Sequence, residues 1–356
     1  MSTNLLPNEL IQWLPYSETI LEVSQLSGGL IHRTYVVRTA SESILVQSIN
    51  TQIFSEPTGL IQNHRALYQH FQAPRSPFAL AMPLPFSNDA WIVQDDQGAS
   101  WRLSQFIAGT HTLHEVESPA QAEALAQFFA RFTRHAADPK DPHWAIPIAK
   151  FHDLTHRFNQ FQTSLSSGIP ERILSSQPLI ESLIARKAYV EFYNQLRNNP
   201  EFPLRMMHHD AKLSNVLIHS SSGQWVCPID LDTVMPGYFF SDLGDMIRSL
   251  CNSQAEDAIA SEELQLRKDI YRALVRGYLT GMGDALTPTE KKHIHKAGLI
   301  MIYMQALRFL TDHLNGDIYY RVDHPGQNWE RAINQFALLM QLESYLNQPD
   351  DLGLLV

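Results

Sequence analysis

The sequence predicts an α+β protein of two lobes, a small lobe built on an antiparallel sheet and a larger lobe that is mainly helical. From Leu21 to Ile107 the apolar residues form short, strand-like runs, whereas later they recur at the spacing of amphipathic helices. A length of 356 residues also exceeds a typical single core. We therefore expect the first lobe over residues 1–107 and the second over residues 108–356.

Five strands and one helix are predicted in the first lobe. The expected strands are Glu22–Leu26, Thr34–Arg38, Ile44–Ile49, Ala90–Gln94 and Trp101–Ile107. A helix is expected at Pro57–Phe71, where Leu60, Ile61 and Leu67 share one face and Pro57 suits the first turn. Residues 108–110 then lead into the second lobe.

The second lobe combines long helices with one hairpin. Six amphipathic segments predict helices, at Pro119–Ala136, Leu179–Arg197, Ser241–Cys251, Glu262–Leu279, Pro288–Leu314 and Trp329–Leu346. Between them, Val216–Ile218 and Trp225–Ile229 are strand-like and are joined by Ser220, Ser221, Ser222 and Gly223, which are turn residues.

The segment from His208 to Asn215, followed by Ile229-Asp230, carries the strongest functional signal. Its pattern H-x-D-x-K-x-x-N and then an apolar residue with Asp is the spacing of a kinase catalytic loop and its metal-binding aspartate. Phosphoryl transfer needs a carboxylate at the attacking hydroxyl and oxygen ligands for Mg²⁺. Asp210 suits the first task, Asn215 and Asp230 suit the second, and Lys212 can neutralise charge on the transferred group.

These motifs predict a bilobal, protein-kinase-like fold with ATP and Mg²⁺ as cofactors. Taken singly, Asp and Asn in turns more often cap backbone groups, but the two spacings together favour catalysis. Gly28 and Gly29 can bring backbone N–H groups close to phosphates, although an ordinary hairpin is the alternative.

The first lobe departs from a kinase at one position. A lysine on the third strand, paired with a glutamate on the next helix, normally holds the nucleotide phosphates. Here the third strand offers Gln47 and no basic residue, and the helix has no Glu. Either Gln47, Arg33, Arg65 and the metal take over these contacts, or nucleotide binding is weakened.

Longer motifs resemble one family. The segments Ile229–Gly237, Ser241–Arg248, Arg308–Leu314 and Gly316–Tyr319 resemble those of the N-acetylhexosamine 1-kinases, within the aminoglycoside phosphotransferase and choline kinase superfamily. The resemblance extends from about Gly28 to Leu338 and has weaker parts at Gln47–Phe54, Trp101-Arg102, Phe106-Ile107 and Phe151-His152.

The resemblance implies a kinase for the anomeric hydroxyl of N-acetylglucosamine or N-acetylgalactosamine. It makes Asp210 the base, Asn215 and Asp230 the Mg²⁺ ligands, and places Gly28, Gly29, Gln47, Phe106 and Ile107 at the nucleotide. It implies sugar contacts from Thr233, Arg308 and Tyr319, and supporting roles for His208 and Asp242. The alternatives for two of these are a salt bridge for Arg308 and a partly buried position for Tyr319.

Two further hypotheses remain open beside a sugar kinase. These kinases carry a polar residue where this chain has Leu30, and His32 is the nearest substitute. Another alcohol, such as choline, ethanolamine or an aminoglycoside, is the second possibility. A cationic acceptor calls for a cluster of carboxylates, which Asp232, Asp242 and Asp245 can supply, or for an aromatic cage. The missing basic residue on the third strand also permits a nucleotide-binding pseudokinase without catalytic activity.

Composition limits the partners and the compartment. The net charge of −10, without a block of Lys or Arg, argues against nucleic acid as a partner. No apolar run approaches the roughly 18 residues of a membrane span, and the N-terminus shows no signal peptide. Cys227 and Cys251 are too few for a disulfide framework. We expect a cytoplasmic monomer or weak dimer that binds ATP and a small sugar, without a membrane partner.

Overall fold

The computed structural model describes residues 5–15, 17–26, 31–72, 76, 78–136, 138–141, 143–256, 258 and 264–348. The predicted phosphate turn at Gly28 and Gly29 lies outside these residues. The chain divides into two compact units. The first comprises the described parts of Met1–Leu113, His135–Ala149 and Ser214–Met235, and the second comprises those of His114–Arg134, Lys150–Leu213 and Pro236–Val356. Neither unit is continuous in sequence, whereas the predicted lobes divide the chain only once, after residue 107.

The helices and strands follow in chain order. The strands are β1 (Ile20–Gln25), β2 (Arg33–Thr39), β3 (Ser43–Ile49), β4 (Pro83–Leu84), β5 (Val93–Gln94), β6 (Ser100–Gln105), β7 (Thr110–His111), β8 (Arg205–Met207), β9 (Val216–His219), β10 (Trp225–Pro228) and β11 (Met235–Gly237). The helices are α1 (Asn8–Trp13), α2 (Pro57–Phe71), α3 (Pro119–His135), α4 (Leu154–Ser167), α5 (Pro170–Ser175), α6 (Gln177–Ile184), α7 (Ala188–Arg197), α8 (Phe240–Leu250), α9 (Lys268–Met282), α10 (Pro288–Lys292), α11 (Lys296–Asn315) and α12 (Gln327–Leu346). Short 3₁₀ turns lie at Ser17–Thr19, Leu213–Asn215, Leu231–Thr233 and Gly283–Ala285.

The predicted α+β class is confirmed, with an antiparallel sheet early in the chain and helices after it. Strands β1, β2, β3, β6 and β4 are neighbours in that order, and β5 also pairs with β6. All of these pairs are antiparallel. A second sheet has the order β10-β9-β7, and β8 pairs with β11. Two of the predicted helices are each divided, Leu179–Arg197 into α6 and α7 and Pro288–Leu314 into α10 and α11.

The core of the first unit lies against one face of the large sheet. Strand β3 alternates between buried and half-buried positions, so that Ile44 and Val46 point into the core while Gln47 takes the other face. Leu10 of α1 and Leu103 of β6 are fully buried in the same cluster. This alternation leaves one polar row on the opposite face of the sheet.

The core of the second unit is organised around α11. This helix is buried along most of its length and packs against α12, α8 and α4. A helix that is apolar on nearly all sides belongs in the centre of a bundle rather than on its surface. Within the described part of the chain, no helix is both long and apolar enough to span a membrane.

Candidate active site

The catalytic loop of the second unit follows β8 and is anchored by Asp242 of α8. The backbone N–H of His208 donates to Asp242 Oδ2 at 3.0 Å, and that of His209 donates to Oδ1 at 2.8 Å. Thr133 Oγ1 adds a longer hydrogen bond of 3.3 Å to Oδ2. Two consecutive peptide groups of the loop are therefore fixed by one buried carboxylate.

The surroundings of Asp242 exclude solvent. Asp242 is fully buried, and this burial raises the pKa of its carboxyl group, while His208 and the two backbone N–H groups act in the opposite direction. The edge of the His208 ring meets Phe129, with 5.1 Å between ring centroids. His208 thus packs beneath the loop and not at its exposed side.

Asp210 and Lys212 form a partly exposed section of the loop. Lys212 Nζ lies 2.8 Å from Asp210 Oδ2, and the two side chains are 36% and 24% exposed respectively. His209, before Asp210, has a φ of 64° and brings its ring against Gly237. A Cβ on Gly237 would lie 2.5 Å from His209 Cε1, so only glycine permits this approach. The turn thereby directs the Asp210 carboxylate to the surface of the unit.

Phe151 and His152 connect this loop to Arg308 of α11. The Phe151 ring centroid lies 6.4 Å from that of His209 and 5.3 Å from Arg308 Cζ. His152 is buried, and its Nδ1 lies 3.2 Å from His209 Nδ1 and 3.2 Å from Ser241 Oγ. Burial, followed by the charges of His209 and Arg308, lowers the pKa of His152 well below its ordinary value. Arg308 and the catalytic loop therefore belong to one side-chain cluster.

Arg308 is surrounded by aromatic rings and one amide. Its Cζ lies 5.8 Å from the Tyr319 ring centroid and 5.5 Å from that of Tyr320, and its Nη1 donates to Gln305 Oε1 at 3.1 Å. Within the described ranges, no carboxylate forms a salt bridge with this guanidinium. The Tyr319 side chain is 55% exposed. Neither alternative considered from the sequence, a salt bridge for Arg308 or a partly buried Tyr319, describes these positions.

In the first unit, the hairpin of β9 and β10 brings together Asn215 and Asp230. Val216 pairs with Pro228, and the N–H of Ile229 donates to the carbonyl oxygen of Asn215 at 2.9 Å. Asn215 is buried, whereas Asp230 is exposed and has a left-handed backbone with a φ of 58°. Asp tolerates this region better than most residues. The two predicted metal ligands thus lie at the same end of one hairpin.

A polar row crosses the large sheet and reaches Asp232. Thr34, Gln47 and Arg102 are directly opposite one another on β2, β3 and β6. Gln47 Nε2 donates to Thr34 Oγ1 at 3.0 Å, and Arg102 Nε donates to Gln47 Oε1 at 3.1 Å. Arg102 then holds Asp232 through both terminal nitrogens, with 2.6 Å between Nη2 and Oδ2. Strand β3 has no basic residue, but Arg102 lies on β6, its neighbour in the sheet.

The ion pair of Arg102 and Asp232 is buried. The two side chains are 7% and 4% exposed. Burial would raise the pKa of Asp232, but Arg102 and a hydrogen bond from His32 hold it well below its ordinary value. Burial would likewise lower the pKa of Arg102, and Asp232 raises it above its usual range. Arg102 was not assigned a role from the sequence, because its partner is distant along the chain.

The donor set identifies which residues fit a magnesium ion. Ligand atoms of His32, Asp230 and Asp232 all lie within 4.8 Å of one another. His32 Nδ1 accepts the N–H of Asn50 at 3.1 Å, so Nε2 carries the proton that it donates to Asp232 Oδ2 at 2.7 Å. His32 therefore has no lone pair for a metal, and Asp232 is already bound to Arg102. Asp230, with the amide oxygen of Asn215, fits the oxygen ligands that Mg²⁺ prefers.

The remaining predicted residues are distributed over the first unit. Thr233 is 7% exposed in the 3₁₀ turn after Asp230. Phe106 and Ile107 follow β6, where the Phe106 N–H donates to the Ser43 carbonyl oxygen and Ile107 accepts from Thr110 Oγ1. Their assignment to the nucleotide stays a prediction.

Comparison with known proteins gives one family and one fold. The model of the family described as "Phosphotransferase enzyme family" matches residues 22–278. A solved aminoglycoside phosphotransferase from Alicyclobacillus acidocaldarius subsp. acidocaldarius DSM 446 is 14% identical, covers 97% of this chain and 98% of its own, and has a TM-score of 0.58.

Two other solved structures have the same fold. A choline kinase from Cryptosporidium parvum Iowa II is 14% identical over 95% of this chain and 94% of its own, with a TM-score of 0.57. A spectinomycin phosphotransferase in complex with ADP and spectinomycin is 11% identical over 90% of this chain and 93% of its own, with a TM-score of 0.53. The bilobal kinase-like fold predicted from the sequence is thereby confirmed.

Proposed function

Since the chain belongs to the phosphotransferase enzyme family, we propose that it is an ATP- and Mg²⁺-dependent kinase that phosphorylates a sugar hydroxyl, with the anomeric hydroxyl of an N-acetylhexosamine as the favoured acceptor. Family membership makes it an enzyme that transfers phosphate to a small molecule carrying a hydroxyl group. The nucleotide, the metal and the sugar are the parts that we propose.

The observation that carries this proposal is the cluster that joins Asp210 to Arg308. Phe151 contacts both His209, next to Asp210, and Arg308, so a base and a hydrogen-bond donor are presented by the same cluster. Arg308 keeps donors for ligand oxygens, because its described polar partner is the amide of Gln305. The exposed Tyr319 ring beside it suits the face of a pyranose. This combination supports a neutral, oxygen-rich acceptor.

The carboxylates that a cationic acceptor would need are already engaged. Asp232 is bound to Arg102 and His32. Asp242 accepts the backbone N–H groups of His208 and His209. Asp245 Oδ1 accepts from Arg248 Nη2 at 2.8 Å. A choline or ethanolamine site would need a carboxylate cluster, which these three engaged residues do not supply, or an aromatic cage. The rings of Tyr319 and Tyr320 already surround the cation of Arg308, which repels an amine and so favours the sugar.

In the proposed reaction, Asp210 accepts the proton of the acceptor hydroxyl as that oxygen attacks the γ-phosphorus, and the bond from this phosphorus to the β,γ-bridging oxygen breaks to release ADP. Lys212 lies against Asp210 and provides positive charge beside the transferred group. Asn215 and Asp230 would hold Mg²⁺, which neutralises charge on the nucleotide phosphates when bound. Gln47, Phe106 and Ile107, with the glycines at 28 and 29, would contact the nucleotide. One solved structure of this fold, the spectinomycin phosphotransferase, holds ADP.

The first test is ADP release from Mg·ATP with a panel of acceptors. N-acetylglucosamine, N-acetylgalactosamine, glucose, galactose, glucosamine, choline and kanamycin separate the hypotheses, and the product identifies the modified hydroxyl. We expect turnover with an N-acetylhexosamine to give the 1-phosphate. Turnover with choline or kanamycin alone would contradict the sugar assignment. ATP binding without turnover on any acceptor would instead support the pseudokinase.

The second test is Asp210→Asn. Removing the base should lower kcat by about 100-fold or more, and the Kd for Mg·ATP should stay within about twofold of wild type because Asp210 is not a proposed metal ligand. Asp284→Asn, an exposed carboxylate of the second unit, is the matched control and should keep full activity. Full activity of the Asp210 variant would remove this residue from the base role.

A further inference from the structure

The loop after α11 is held by its backbone and presents its side chains outward. Helix α11 ends at Asn315, and Gly316 follows with a φ of 100°, the left-handed geometry that terminates helices. Asp317, the next residue, has a φ of 60°. Ile318 and Tyr319 come directly after this turn and are 81% and 55% exposed. Because these large side chains are exposed, their own packing does not fix the loop, and another contact has to hold it in place.

That cause is the carboxylate of Asp312, one turn back on α11. Asp312 Oδ1 accepts the N–H of Ile318 at 2.9 Å and the N–H of Tyr319 at 2.8 Å. Asp312 Oδ2 accepts the N–H of Tyr320 at 2.9 Å. Three consecutive peptide groups thus converge on one side chain that is 6% exposed. Hydrogen bonds to an ionised acceptor are about twice as strong as neutral ones, so this loop is tied more firmly than an ordinary turn.

A second residue connects this anchor to the rest of the loop. Asn328 Nδ2, from α12, donates to Asp312 Oδ2 and to Asp317 Oδ1, each at 2.9 Å. Arg172 Nη1 completes the arrangement with a salt bridge of 2.6 Å to Asp317 Oδ2. Both carboxylates are satisfied from within the protein, which gives them a positioning role and leaves ligand contact to the exposed side chains.

We infer that Asp312 is a positioning residue for acceptor recognition. It fixes the loop that places the Tyr319 ring beside Arg308. This inference rests on the proposed function, in which Arg308 and Tyr319 contact the acceptor. Tyr320 packs inward against Phe309, with ring centroids 4.8 Å apart, and so closes the inner side of the loop. Asp312 touches neither the catalytic loop nor the proposed metal ligands among the contacts described for it, so its loss should affect the acceptor and spare the nucleotide.

The experiment compares Asp312→Asn with wild type and with Asp323→Asn. Asparagine keeps the size of the side chain but turns one acceptor oxygen into a donor, which cannot accept from a backbone N–H. The exposed Asp323 lies near the loop and is the matched control for the lost charge. Steady-state kinetics use the acceptor that the wild type phosphorylates best, and hydrogen exchange reports the amides of residues 318–320.

In Asp312→Asn we expect those amides to lose protection and the KM for the acceptor to rise about 10- to 100-fold, because small displacements of contact groups have effects of this size. The KM for ATP should stay within about twofold of wild type, as expected when only acceptor binding is affected. Asp323→Asn should match wild type in all three measurements.

The outcomes that overturn the inference are distinct from those that overturn the proposed function. An unchanged acceptor KM in Asp312→Asn, or an equal rise in both KM values, overturns the inference while the enzyme assignment stands. A wild type that phosphorylates no acceptor on the panel overturns the proposed function and this inference with it. Should Asp312→Asn fail to fold, Asn328→Ala removes the connecting amide and leaves the three backbone bonds. Because Asp312 Oδ2 then loses the Asn328 amide that orients it toward the N–H of Tyr320, the acceptor KM should rise about threefold to tenfold, and no rise would equally overturn the inference.

Discussion

At the scale of single residues, Arg102 lies on the strand beside β3, which itself has no basic residue. It lies opposite Gln47 and is bound to Asp232 rather than exposed to a ligand. Because Asp232 is two residues after Asp230, this ion pair fixes the segment that carries the proposed metal ligand. Arg102 therefore acts on that segment from within the sheet, and the contact with phosphate is left to other groups.

The Arg102→Met variant tests how much this pair stabilises the first unit. Removing one partner of a buried ion pair leaves an uncompensated charge and typically costs about 3–5 kcal/mol. Arg38 and Glu22 form an exposed pair in the same sheet, with side chains 63% and 55% exposed, so Arg38→Met is the matched control. That control should lose less than about 1 kcal/mol in the free energy of unfolding.

Urea unfolding followed by tryptophan fluorescence measures both variants, since Trp101 is buried beside Arg102 on β6. Equal losses of unfolding free energy in Arg102→Met and Arg38→Met would contradict a structural role for the buried pair.

At the scale of elements, α8 and α11 approach each other at two glycines. A Cβ on Gly244 of α8 would collide with Met301 Cγ and would lie 2.5 Å from the Ala297 carbonyl oxygen of α11. A Cβ on Gly298 of α11 would lie 2.8 Å from Ile247 Cγ2 of α8. Because the N-terminal turn of α8 carries Asp242, this packing determines where the anchor of the catalytic loop lies.

Gly244→Ala should therefore destabilise the protein although alanine has the higher helix propensity. Overpacking of a filled core typically costs about 1–3 kcal/mol, more than the gain of about 1 kcal/mol from replacing a helical glycine. Ser249→Ala, on the exposed face of the same helix, should stay within about 0.5 kcal/mol of wild type. Thermal unfolding measures both, and a raised melting temperature for Gly244→Ala would show that the helices can separate without cost.

The elements also show what local sequence can and cannot predict. Helix α2 was predicted with its observed bounds, because Pro57 and the apolar spacing mark it locally. The sequence pattern does not predict helix α4, because its buried face has only three apolar residues, Leu154, Phe158 and Phe161, among many polar ones. The local signal that marks it is Asp153, which caps the helix by accepting the His156 N–H at 2.9 Å. The division between α6 and α7 was missed because the apolar spacing continues through the break.

The site residues likewise fall into two groups, those that the local sequence identifies and those that only contacts between distant positions identify. Asp210, Asn215 and Asp230 were assigned from their spacing, and their catalytic roles remain predictions. Arg102 and Asp232 are 130 positions apart, so no spacing rule connects them. The contact of Phe151 with Arg308 likewise depends on how α11 packs. Sequence motifs record the chemistry of a loop, whereas its support comes from residues that only the fold brings together.

At the scale of the whole molecule, the net charge of −10 repels an anionic nucleotide unless a cation accompanies it. In the described part of the first unit, Arg102, the basic residue opposite Gln47 in the sheet, is committed to Asp232 and does not serve the phosphates. We therefore expect nucleotide binding to depend strongly on Mg²⁺ held through Asp230 and Asn215, more than in a kinase with a free lysine on the third strand.

Thermal stability with Mg²⁺, ATP or both tests this dependence. A ligand present at 100 times its Kd stabilises the folded protein by about 2.7 kcal/mol, so Mg·ATP should raise the melting temperature by several degrees, and ATP with EDTA should not. Asp230→Ala should lose this Mg²⁺-dependent increase. Asp96→Ala removes an exposed carboxylate of the same unit and should keep it. If Mg·ATP stabilises Asp230→Ala as much as it stabilises wild type, Asp230 does not hold the metal. The nucleotide phosphates would then bind a positive group other than Arg102, which is paired with Asp232.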